Sequence, residues 1–94
     1  MVILDELRVE MIGYRDEMKE LADVLDIENA KKEHEELQQE IAKEGFWDDL
    51  ENSQKVLQRS KNLENKIAKF NKLNERLEDA ITLIELSIEE DDES

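Results

Sequence analysis

Apolar residues return at alternating steps of three and four along almost the whole of this chain. The first series is Leu4, Leu7, Met11, Tyr14, Met18, Leu21 and Leu25, without a miss. The second is Ile27, Ala30, His34, Leu37 and Ile41. The third runs Val56, Ser60, Leu63, Ile67, Phe70, Asn74, Leu77, Ile81, Ile84 and Ile88, where only Ser60 and Asn74 depart from the apolar rule. A step averaging about 3.5 holds a stripe on one side of a helix and keeps it facing a partner helix.

The places to turn are few. The 94 residues include no Pro and two Gly, Gly13 and Gly45. Many of the rest are good helix formers. The pattern predicts a helix over about 3–24, a second over 27–43, a link at 44–48, a long helix over 49–89 and a frayed acidic tail at 90–94. Asp26 is the expected N-cap of the second helix, accepting from the amides of its first turn. Glu44-Gly45 is expected to close that helix, because Gly adopts the left-handed conformation at little cost. Asp48 or Asp49 then caps the third helix. That helix would run about 60 Å. Beyond Glu89 the like charges sit where the helix dipole disfavours them, hence the expected fraying.

A helix of that length does not bury its stripe alone. The expected fold is therefore all-α, a single domain over 1–94 forming an elongated antiparallel three-helix bundle with coiled-coil-like packing, the third helix longest. The other way to close the seam is a dimeric coiled coil; the short links and Gly45 favour hairpins within one chain.

Composition removes several classes of function. With no Cys there is neither a disulfide framework nor a thiolate metal site. His34 is the single His, so a His-rich metal site or a His pair for acid–base work is ruled out. Two Gly leave no room for a phosphate-cradling loop. The longest apolar run, Met1 to Leu4, falls far short of the about 20 residues of a membrane span. It also lacks the build of a signal peptide. The 27 acidic residues outnumber the 13 basic ones for a net charge of -14, which repels phosphates and argues against the whole domain being a nucleic-acid binder, with no DNA partner expected. The reading is a soluble intracellular chain with no cofactor and no membrane contact.

Against that acidic background, Lys55 to Arg76 holds seven basic residues and two acidic ones. On the heptad, Lys55, Arg59, Lys66, Lys69 and Arg76 share one flank of the seam, with Glu64, Glu78 and Glu85 on the other. The first helix shows the inverse, with Glu6, Glu10, Glu17 and Glu20 on the flank matching the basic one and Arg8 and Arg15 opposite. One reading pairs these flanks between helices, which sets orientation and register while adding little stability at exposed positions. The other makes them a basic ridge for an acidic surface, either RNA phosphates or an acidic protein. Phe46-Trp47 is likewise either an apolar plug at one end of the bundle or a docking anchor. His34 falls on a stripe and reads as packing; Asn74 reads as a register device. Ser53, Ser60 and Ser87 lack any nucleophile context. A helical surface also offers no concave active-site pocket. The residues alone therefore indicate a helical interaction module. A structural coiled-coil scaffold or chaperone-like protein is the alternative, and a small enzyme using carboxylates and His34 the remotest.

Three stretches in order, Asp26-Ile27-Glu28-Asn29-Ala30-Lys31-Lys32-Glu33, Phe46-Trp47-Asp48-Asp49 with Gln54-Lys55, and Leu77-Glu78-Asp79-Ala80 with Leu83-Ile84-Glu85-Leu86 and the acidic close, resemble the N-terminal domain of the bacterial peptide chain release factor 2 family, within the class I release factors. The resemblance covers essentially the whole chain. One departure is Lys43-Glu44-Gly45, where the family commonly has a Pro before Phe-Trp.

The resemblance implies a place in translation termination. Family members recognise UGA and UAA stop codons and trigger hydrolysis of peptidyl-tRNA through a Ser-Pro-Phe tripeptide and a Gly-Gly-Gln motif. Neither motif occurs here, so the resemblance gives no catalytic residue, no cofactor and no enzyme activity to these residues. It implies a detached first domain, with a native start at Met1 and a truncation at Ser94. The implied location is the cytoplasm. The implied partners are the ribosome near the stalk base and GTPase-associated centre, through ribosomal proteins and rRNA, and the GTPase that recycles release factors.

Overall fold

A computed structural model describes residues 1–93, with side chains through Asp91. Among the described residues there are three α-helices and no strand: α1 (Val2–Val24), α2 (Ile27–Ile41) and α3 (Leu50–Glu93), with a 3-10 turn at Phe46–Asp48 before α3. The all-α expectation and the dominance of the third helix hold.

The ends of the helices refine the reading. α2 stops at Ile41, short of 43. The Lys43 N–H donates to the Glu40 carbonyl at 3.1 Å, a tightened last turn that closes the helix before glycine is reached. Gly45 is left-handed as expected, at φ 83°. It serves the next feature instead, its carbonyl accepting from the Asp48 N–H at 3.1 Å to build the 3-10 turn. Asp26 does not cap as expected. It is itself left-handed, φ 55° and ψ 47°, whereas an N-capping residue is usually extended. Its carboxylate is turned to the Asn29 side-chain amide, at 2.9 and 3.1 Å, and away from the backbone amides. Asp49 is extended and does cap α3, accepting from the Asn52 N–H at 3.1 Å.

α3 is helical through Glu93, past the expected 89; Ser94 lies outside the described residues. The Met1 ammonium stands 2.7 Å from the Asp91 carboxylate, offsetting charge that the dipole disfavours.

The chain divides into two compact units, and α3 contributes to both. In the first unit, α1 pairs with α3 from Asn71 onward. The pair is antiparallel, since Met1 meets Asp91 and Arg15 meets Glu78. Its core is carried by Leu77, Ile81 and Ile84, all on the predicted stripe, while α1 has no fully buried residue. The second unit is α2, the 3-10 turn and α3 as far as Phe70. Its core holds Ile27, Ala30, Phe46, Val56 and Leu63, together with two serines, Ser53 and Ser60.

Both serines are satisfied. The Ser60 hydroxyl accepts from the Gln38 Nε2 at 2.7 Å. The Ser53 hydroxyl reaches the Phe46 carbonyl at 2.7 Å and the Asp49 carbonyl at 2.8 Å. A buried hydroxyl without a partner would be costly, so these bonds are what allow serine on an apolar seam.

Candidate interaction surface

In the second unit, Lys55, Arg59, Lys66 and Lys69 recur at steps of four, seven and three along α3 and are all exposed. Their surroundings differ. Lys55 sits 3.4 Å from Glu51, one turn earlier on the same helix. Arg59 forms a two-pronged pair with Glu33 of α2, with its Nη2 donating to Oε1 at 3.0 Å and its Nε donating to Oε2. The partner of Arg59 is thus on α2, not among the α1 acids that the flank pattern offered. The Arg59 hydrogen bond holds the Glu33 carboxyl below its ordinary pKa. Lys66 and Lys69 make no ion pair among the described residues.

Arg76 lies in the first unit, beside a groove that also carries Glu17. The opposite flank of α3 there behaves as the pattern suggested. Arg15 donates to both oxygens of Glu78, at 2.9 and 2.8 Å, and this bond lowers the Glu78 pKa. The flanking charges therefore divide. Arg15 and Arg59 fasten helix to helix, leaving Lys66, Lys69 and Arg76 exposed and without an ion pair among the described residues.

Phe46 and Trp47 also divide. Phe46 is 6% exposed and plugs the second unit, whereas Trp47 is 58% exposed. Their rings meet edge to face, centroids 5.1 Å apart and planes at 88°. Trp47 thus keeps most of its indole on the surface with one edge-to-face contact to the buried ring. Ser53 is the residue whose part the sequence hid; its place three residues before Val56 extends the stripe backward and was the available signal. His34 is half-buried and faces Gln38. Among the described residues there is no group of three or more His, Asp or Glu placed to hold a metal ion, and no helix long and apolar enough to cross a membrane.

Comparison with known proteins adds a family. Residues 30–94 match the PCRF domain. Peptide chain release factor 2 of Clostridium perfringens strain SM101 is 39% identical over 80 residues, which are 85% of this chain and 22% of that protein. The protein of the same name from Petrotoga mobilis is 30% identical over 89 residues, 95% of this chain and 24% of the relative. That from Acidothermus cellulolyticus is 37% identical over 70 residues, 74% of this chain and 19% of the relative. The chain thus spans 19% to 24% of the length of these curated relatives. No solved structure matches significantly.

Proposed function

This chain belongs to the PCRF domain family, and on that premise we propose that it is the N-terminal interaction domain of a peptide chain release factor that reads UGA and UAA. The observation carrying this reading is the family match over residues 30–94, reinforced by relatives named peptide chain release factor 2. The domain acts in the cytoplasm and docks the factor on the ribosome near the stalk base and GTPase-associated centre. Its contacts are ribosomal proteins and rRNA, and the recycling GTPase is a further partner. Lys66 and Lys69 supply charge to an acidic surface, with Lys55, Arg59 and Arg76 extending the series and the Phe46-braced Trp47 as anchor. The strongly acidic remainder discourages indiscriminate adhesion to RNA. Codon reading and peptidyl-tRNA hydrolysis fall to motifs outside these residues, and the domain itself is not an enzyme.

The test adds the purified chain to ribosomes programmed with a UGA or UAA codon. It should co-sediment with them and release no peptide. Lys66→Gln with Lys69→Gln should weaken co-sedimentation while leaving the thermal melt unchanged. Peptide release by this chain alone, or no binding to ribosomes, would overturn the proposal.

A further inference from the structure

In the first unit, α1 and α3 leave a groove of about 550 Å³ along one side. Met11, Met18 and Leu21 of α1 and Leu73 of α3 line it, with Glu17 and Arg76 among its polar groups. Leu73 is 47% exposed, and no residue of α1 is fully buried. The α1 stripe is thus a seam with only part of the cover that its spacing calls for. A groove between two helices with three-and-four stripes takes side chains from a third helix of the same period.

Charge decides what that helix carries. Residues 1–24 and 71–94 hold 16 of the 27 acidic side chains and 5 of the 13 basic ones. On α1 the acids Glu6, Glu10 and Glu17 fall on the groove side, since steps of four and seven return to one face. Two copies meeting through this unit would oppose like charge. A cationic helix would find its apolar stripe and its charge matched together.

We propose that the groove of the first unit binds an amphipathic helix of a protein partner, apolar at three-and-four spacing and basic on its polar face. Its lining shares Arg76 with the basic series of α3 but includes neither Lys66 nor Lys69, and the assignment stands whether or not the chain acts on ribosomes.

Three labelled synthetic peptides of about five turns test it by fluorescence anisotropy near physiological salt. One has Leu at three-and-four spacing among Lys, one has the same composition without the spacing, and one replaces Lys with Glu. The patterned Lys peptide should bind best. Leu73→Glu should weaken it about tenfold, as should Met18→Gln, whereas Leu57→Glu in the second unit should leave it unchanged. Circular dichroism of each variant keeps loss of binding distinct from loss of fold. The inference fails if the unpatterned or the Glu peptide binds as well, or if the folded Leu73→Glu and Met18→Gln proteins bind undiminished. It fails also if sedimentation shows a dimer that either substitution dissociates, since a second copy would then fill the groove.

Discussion

Replacing Ser53 with alanine removes one oxygen and tests how the start of α3 is held. Ser53 is 1% exposed. Its hydroxyl has a single hydrogen and two carbonyl oxygens within reach, those of Phe46 at 2.7 Å and Asp49 at 2.8 Å. The Asp49 carbonyl keeps a partner in the variant, because it also accepts from the Ser53 N–H at 2.9 Å. The Phe46 carbonyl loses the hydroxyl, and an unsatisfied buried acceptor costs about 1–3 kcal/mol. Alanine returns about 0.5 kcal/mol as the better helix former. The net loss is about 0.5–2.5 kcal/mol. A domain of this size shifts its melting temperature by about 4–8 °C per kcal/mol, so the middle of the range is a drop of about 6–12 °C. Far-UV circular dichroism reads the melt, and Trp47 fluorescence follows it next to the Phe46 plug. Ser60→Ala is the companion. Its partner Gln38 is exposed and turns to water when the hydroxyl goes, so that change should cost less than about 1 kcal/mol. If Ser53→Ala melts with the parent, or Ser60→Ala is the more damaging, the hydroxyl does not hold the turn.

Core packing, the two glycines and the Arg59–Glu33 pair can each be probed in turn. Ile81→Ala should cost about 2–5 kcal/mol, since Ile81 is 1% exposed. Leu83→Ala, at a position 66% exposed, should stay within about 0.5 kcal/mol in the same denaturant titration. Gly45→Ala should destabilise by about 1–2 kcal/mol from left-handed strain. Gly13→Ala, with open space around its added methyl, should stabilise by about 0.5–1 kcal/mol; thermal melts that rank the two in the opposite order would reject the glycine argument. Arg59 lowers the Glu33 pKa from its ordinary 4.5. The stability from this pair is present above that value and is lost as pH falls through the lower folded one. Carbon-13 NMR should place the Glu33 midpoint below 4.5, and Arg59→Gln should return it upward; an unmoved midpoint would mean the ion pair is absent in solution.

Periodicity carried much of the fold. Leu77, Ile81 and Ile84 are buried where the third stripe puts them, and even Ser60 is buried because its place on the seam outweighs its polarity. The short-range geometry was less legible. Asp26 has the residue type of an N-cap, but a cap depends on backbone conformation, and here the chain passes through a left-handed residue. The end of α2 came early because backbone bonds at Ala42 and Lys43 closed it before Gly45. For the surface, the flank pattern foresaw Arg15 with Glu78 on neighbouring helices. It left out Glu33 as the partner of Arg59, since a pattern counted on α1 and α3 says nothing of what α2 presents. Phe46 and Trp47, adjacent in sequence, could be told apart only by which ring the 3-10 turn directs inward.

Ser60 also limits how α2 and the start of α3 can slide past each other. A slip would pull Gln38 from Ser60 and put a hydroxyl against hydrocarbon. Ser53 has a different part, since both its acceptors, Phe46 and Asp49, belong to the turn that leads into α3. One oxygen atom thus acts as a detent between the two helices, while the other pins the corner that joins them.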